Sequence, residues 1–377
     1  MVLASDELLG CRLERLRMDL TRLDLDALVV SHPPNLFYLT NFEASAGILV
    51  LGRDGGVLIV DFRYLSSAEA LLTLPFDPPH LEVTLVEGSY EETICTVAHR
   101  IGAKRIGVEA RHLSLSRWQW LQKSLSGDLL PTTDLVEHAR MVKDEHEVEV
   151  LRTAGLMLSG AVDQIVALIR VGRTEREIAA EVNATLHRVG FDRPAFETIV
   201  ASGPNSAFPH AHPGERALQH GDLVVLDFGG VHDGYCVDLT RTVCVGRANP
   251  EVTRLHSAVL EAQTAALAAI RPGVPASSVD HVARLVLDNH GLADAFGHST
   301  GHGLGIEVHE LPRVGRQRPA AVGHDLDDPA LAVGMVFTVE PGVYLPGVGG
   351  VRIEDDALVT EAGVEILTEA SRALVVR

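Results

Sequence analysis

Residues 225 to 242, VLDFGGVHDGYCVDLTRT, constrain the fold of this chain more than any other stretch. Apolar strand-like runs flank Asp233-Gly234, a dipeptide that favours the φ > 0 backbone of a two-residue hairpin turn. With the turn there, His232 faces Tyr235, Asp227 faces Thr240, and Asp238 lies two residues along on the face that carries Asp227. Two carboxylates held so close in apolar surroundings repel each other, and at least one pKa must rise. A cation between them reverses that penalty.

The stretch VFTVEPGVYLPGVGGVRIEDD poses the same problem again, because a hairpin centred on Gly347 sets Glu340 opposite Glu354. Four carboxylates on two ribbons packed side by side would cage two hard or borderline divalent ions. Between the ribbons, HSTGHGLGIEVHE (298–310) supplies imidazoles, with Gly301, Gly303 and Gly305 permitting close backbone approach. On one continuous strand His302 and His309 would face opposite ways, which suits one metal ligand and one residue with another role. The loop ASGPNSAFPHAHP adds His210 and His212. The bland reading holds for other residues of these segments: Asp233, Asp355 and Asp356 as solvated acids on outward faces, His212, His220, His232 and His290 as surface or turn histidines, and Cys236 and Cys244 as small core residues.

A chain of 377 residues exceeds what one core usually supports, so two domains are expected, at 1–135 and 136–377. The first region alternates helical and strand patterns. A helix over about Leu8 to Leu23 is followed by LDALVV, FYLTNF, GILVL, GVLIVD, LEVTLV and RIGVEA as strands, with helices interspersed, which predicts a small α/β domain without chemistry of its own. In the second region Asp144 and Glu147 predict a capping box opening a long helix, and Gly190 ends the next one. Each half of this region then repeats one plan, helices followed by a carboxylate-bearing hairpin. The net charge of −19 repels phosphate backbones and anionic membranes, which argues against nucleic acid or membrane partners. No apolar run approaches a membrane span, no secretory leader pattern is visible at the start, and the four cysteines show no CxxC spacing. A cytoplasmic location is the expectation.

The ordered set Asp227, Asp238, His302, Glu340 and Glu354, in the contexts LDFGG, GYCVDLTRT, GHGLGIEVHE, TVEPGVY and GGVRIEDD, resembles the pita-bread metallopeptidases, most closely the Xaa-Pro peptidases prolidase and aminopeptidase P. The resemblance covers about residues 136 to 377 strongly. It implies an α+β chain, a C-terminal pita-bread (creatinase/aminopeptidase) fold preceded by a smaller α/β creatinase-like N-terminal domain. It also implies two divalent ions per subunit, manganese first and cobalt or zinc next. Asp227 would hold one ion, Asp238 and Glu354 would bridge both, and His302 with Glu340 would complete the other. Water activated between the ions would attack the bond before proline, with Glu340 as proton shuttle, His309 on the developing oxyanion and His210 on the substrate. Arg352 would support this set, and Arg313 in HELPRVG resembles the arginine that prolidases present to a dipeptide's carboxylate.

The expected substrates are therefore proline-containing di- or oligopeptides, with a lean to Xaa-Pro dipeptidase over Xaa-Pro aminopeptidase. Creatinase-like hydrolases of the same fold lack the metal set, methionine aminopeptidases usually lack so large a first domain, and non-enzymatic pita-bread proteins typically lose ligands. The resemblance further implies a homodimer in which the first domain serves dimerisation and substrate access. A long segment at 311–333, rich in Pro and Asp, departs from the compact family pattern.

Overall fold

A six-stranded sheet in the first third is built mostly from short runs rich in Val, Ile and Leu, bounded by turn residues and too short to pack as helices. Strands β1 (Ala27–Val30), β2 (Ile48–Gly52), β3 (Gly56–Val60), β4 (Leu81–Leu85), β5 (Arg105–Glu109) and β6 (Asp128–Thr132) lie in the order β4-β3-β2-β1-β5-β6. Helices α1 (Asp6–Arg22), α2 (Pro33–Thr40), α3 (Leu65–Leu71), α4 (Tyr90–Arg100), α5 (Leu115–Ser124) and α6 (Leu135–Met141) alternate with them. Ile94 and Val97 of α4 and Leu121 of α5 join Val29, Val50, Ile59 and Ile106 in one core. The chain divides into two units, Val2–Arg140 and Met141–Arg377, and the computed structural model describes residues 2–73, 79–317 and 328–376.

One expected strand is a helix. The FYLT of FYLTNF belongs to α2, which starts with Pro33 and Pro34 in its first turn and stops at Asn41 in the left-handed region (φ 57°). Two prolines preset φ for a first turn whose N–H groups would be unpaired anyway. Leu36, Phe37, Tyr38 and Leu39 are all buried, so this helix has no polar face to reveal its period. The edge strand β6, which carries Pro131, and the short α6 lie beyond the strands read from the sequence.

The second unit opens with α7 (Glu145–Val166), where Asp144 and Glu147 form the expected capping box, and α8 (Glu175–Val189), which ends at Gly190 with φ 110°. Strands β7 (Arg193–Pro194), β8 (Ile199–Ser202), β9 (Leu223–His232) and β10 (Tyr235–Cys244) follow, then α9 (Pro250–Ala269) and α10 (Ala276–Asn289). The remaining strands are β11 (Gly301–Gly303), β12 (Glu310–Val314), β13 (Val336–Val339), β14 (Gly342–Leu345), β15 (Gly349–Arg352), β16 (Asp355–Thr360), β17 (Gly363–Ile366) and β18 (Val375–Val376). Two five-stranded sheets result, β18-β10-β9-β7 with β8 also on β9, and β12-β11-β13-β16-β17; β14 and β15 pair separately. Of the long 311–333 segment, residues 318–327 lie outside the described residues.

The first hairpin has the expected register, His232 opposite Tyr235 and Asp227 opposite Thr240, with Asp233 (φ 48°) and Gly234 (φ 84°) at its turn. The second is one register split between two sheets: Gly342 faces Arg352 in β14–β15, and Val339 faces Asp355 in β13–β16. Glu340 and Glu354 sit at the break. The ribbons lie side by side, as Glu354 N–H donates to the Thr240 carbonyl (3.1 Å) and the Thr242 hydroxyl to the Arg352 carbonyl (2.9 Å).

Asp355 and Asp356 correct the expectation of solvated acids, since both are fully buried. Strand β16 is flanked by β13 and β17, and both of its faces are covered. Asp355 accepts from Arg241 (2.7 Å), Gln263 (2.7 Å) and Arg372 (2.6 Å), while Asp356 accepts the backbone N–H of Asp238 (2.9 Å). Arg241 also donates to the carbonyls of Thr240 and Glu354, so this clamp ties the two ribbons together next to their carboxylates.

Candidate metal centre

All nine residues singled out in the sequence, Asp227, Asp238, His302, Glu340, Glu354, His210, His309, Arg313 and Arg352, line one cavity of about 500 Å³ in the second unit. Donor atoms of Asp238, His302 and Glu354 lie within 4.8 Å of one another. His302 Nε2 is 3.5 Å from Glu340 Oε1. Asp227 is paired through Oδ2 with the Arg352 guanidinium. The close fit depends on glycine: a Cβ on Gly301 would sit 1.8 Å from the Thr338 carbonyl oxygen, and one on Gly303 2.1 Å from that of Leu311.

His302 and His309 come together instead of facing apart, their ring centroids 4.2 Å apart. The strand parity that separated them fails because β11 ends at Gly303 with a register shift, and the chain turns before β12 begins at Glu310. Glu310 braces that turn, accepting the Glu307 N–H (2.9 Å) and pairing with Lys143 (2.9 Å) where both side chains are buried. Deleting one partner of such a buried pair costs about 3–5 kcal/mol.

Burial, then the neighbouring carboxylates, pushes Asp238 and Glu354 well above the usual carboxylate range. Glu340 rises to about 8, chiefly through burial, with Arg352 opposing. Burial also lowers His302 to about 4 and lowers His309, so both rings are neutral at pH 7. Oδ1 of Asp227 and Oδ1 of Asp238 are buried and have no hydrogen-bond partner among the described residues. Buried acceptors without donors, beside carboxylates that repel, fit divalent cations held by oxygen with one imidazole nitrogen.

Two further cavity-side residues escaped the sequence reading. Arg352 donates to the Tyr344 hydroxyl (2.7 Å), which lies 3.0 Å from His298 Nε2, and His298 Nδ1 lies 2.8 Å from the Ser299 carbonyl. Burial first of all lowers His298 to about 4, leaving a neutral ring whose Nδ1–H can donate to Ser299 and whose Nε2 can accept from the tyrosine. The available signal was His298 at the head of the glycine-rich HSTGHG stretch that supplies His302; nothing local marks Tyr344. His212, an expected surface histidine, has an 81% exposed side chain yet reaches the cavity rim.

Comparison with known proteins agrees with this geometry. Residues 149–361 match "Metallopeptidase family M24", and residues 12–142 match "Creatinase/Prolidase N-terminal domain". An Xaa-Pro dipeptidase of Pyrococcus furiosus is 34% identical over 367 residues, covering 96% of this chain and 99% of that protein. The structure of an Xaa-Pro dipeptidase from Bacillus anthracis superposes with a TM-score of 0.91 at 32% identity, covering 98% of this chain and 100% of that one. That of an X-Pro aminopeptidase from Thermotoga maritima does so with a TM-score of 0.84 at 35% identity, covering 95% and 99%. The fold, the acidic cage and these matches lead to one conclusion: the chain belongs to metallopeptidase family M24, with a creatinase/prolidase N-terminal domain, and is a metal-dependent peptidase.

Proposed function

We propose that the protein hydrolyses Xaa-Pro bonds, acting on dipeptides. The observation that carries this reading is the convergence on one cavity of the five candidate ligands with His210, His309, Arg313 and Arg352. The named dipeptidase relatives support it. Asp227, Asp238, His302, Glu340 and Glu354 would together hold two divalent ions. Two divalent ions, manganese in our reading, supply when bound an acidified water and a Lewis acid for the scissile carbonyl.

The remaining work falls to the chain's own side chains. Glu340, on the cavity wall beside His302, accepts a proton at its carboxylate and delivers it to the departing proline nitrogen. His309, kept neutral by burial, donates to the carbonyl oxygen as charge develops there. His210 orients the substrate at the cavity wall, and Arg352 fixes Asp227 while holding Tyr344. Arg313 would fork the free carboxylate of a dipeptide. Proline's nitrogen has no N–H to donate, so a pocket for its ring replaces the backbone reading that general peptidases use.

Metal-reconstituted enzyme offered Ala-Pro beside Ala-Pro-Ala and longer Xaa-Pro peptides tests the reading. Cleavage of the dipeptide with the longer peptides spared is expected. The reverse pattern would convert the assignment to Xaa-Pro aminopeptidase, as in the Thermotoga maritima relative's name, and no cleavage with any divalent metal would remove Xaa-Pro specificity. We further propose a homodimer in the cytoplasm, with the first unit serving dimerisation and substrate access. Four unpaired cysteines support a reducing compartment. Light scattering should find twice the 40.5 kDa chain mass, and a monomer at working concentration would reject the dimer.

A further inference from the structure

The five candidate ligands do not exhaust the acids of the cavity. Glu197 also lines it, with a side chain 70% exposed, 3.1 Å from His212 Nδ1. It belongs to neither ribbon. It stands two residues before Ile199, whose backbone pairs with Asp227 across β8 and β9. The neighbouring wall is apolar, formed by Phe196, Ile199 and Pro209. A carboxylate at the mouth of an apolar wall suits a side chain with a hydrocarbon stem and a cationic head, since the stem buries while the head stays in water. Arg313 reaches the cavity from a different sheet, on β12 opposite His302. With Arg313 on the substrate's carboxylate, the wall that carries Glu197 is left for the residue before proline.

We propose, resting on the Xaa-Pro reading above, that Glu197 is a specificity-determining residue that favours a lysine or arginine side chain on the residue before proline. His212 holds the carboxylate at the rim in the absence of substrate and gives way to the cationic head. The chain's net charge of −19 favours encounter with cationic substrates in general. An exposed ion pair is weak, so the preference is a matter of a few fold and fades as salt screens it.

The test compares kcat/KM for Lys-Pro and norleucine-Pro, which share a stem and differ in charge, in the metal-loaded full chain. The wild-type ratio should exceed one and fall about three- to fivefold in Glu197→Gln, with a further fall and improved Asp-Pro cleavage in Glu197→Lys. The difference should shrink in high salt. A ratio unchanged by both substitutions, in protein that still cleaves norleucine-Pro, overturns the assignment of Glu197 and leaves the Xaa-Pro reading standing. Wild-type enzyme that cleaves neither dipeptide overturns both.

Discussion

Asp238→Asn loses metal and peptidase activity together while the protein stays folded. Asp238 lies within the donor cluster with His302 and Glu354, and its Oδ1 is buried without a partner among the described residues. Asparagine keeps the volume and the backbone N–H that donates to Asp356, but it carries no charge and offers one acceptor in place of two. Losing a partner of a ligand costs about 10- to 100-fold in affinity or activity, so losing Asp238 from the proposed ligand set should exceed a hundredfold in affinity and bring turnover to background. Relief of the repulsion with Glu354 and Asp227 should also make the metal-free variant more stable than metal-free wild type. Metal content by plasma emission, dipeptide turnover and melting temperature read the three consequences. Full metal occupancy with activity retained would remove Asp238 from the proposed ligand set.

Removing the metal makes stability depend on pH in a direction the carboxyl groups set. Glu340 titrates near 8 against an ordinary 4.5, and Asp238 and Glu354 are raised as well. Through that interval the folded metal-free protein holds protons that the unfolded chain has released, so stability falls as pH rises. The buried His298 and His302, lowered to about 4 from 6.5, act the opposite way, because the folded state holds fewer protons there and stability rises with pH. The histidine effect is half spent at pH 6.5 and fades over the next unit, so between 6.5 and about 8 the carboxyl groups outweigh it. Chelated protein should therefore lose several degrees of melting temperature across that window, while metal-loaded protein, its carboxylates neutralised by cations, should change little. A chelated melting temperature that is flat or rising there would mean that the acids are not held in the strained, protonated state described.

The pairing of Asp227 with Thr240 was legible because a turn at known residues dictates every pair along a ribbon, and the second ribbon keeps the expected register on both sides of Glu340 and Glu354, which sit at its break. The start of α7 and the end of α8 were legible because Asp144, Glu147 and Gly190 act locally. FYLT was misread since burial on all sides erases the periodicity that separates helix from strand. Asp355 and Asp356 were misread for a related reason: an acid's usual place is the surface, and only Arg241, Gln263, Arg372 and the Asp238 N–H, brought from distant segments, make it cheaper to bury them.

The sequence by itself determined the chemistry of this protein, since donor types, their order and the hairpin registers are local properties of the chain. Tertiary structure alone decided which of those groups share one space. The turn after Gly303 brings His309 back to His302, the split of the second ribbon sets Glu340 and Glu354 at a sheet boundary, and the wall from Phe196 to Ile199 adds Glu197 to the cavity. Each of these depends on contacts between residues far apart in the chain, and strand parity carries no information past a bulge or a loop.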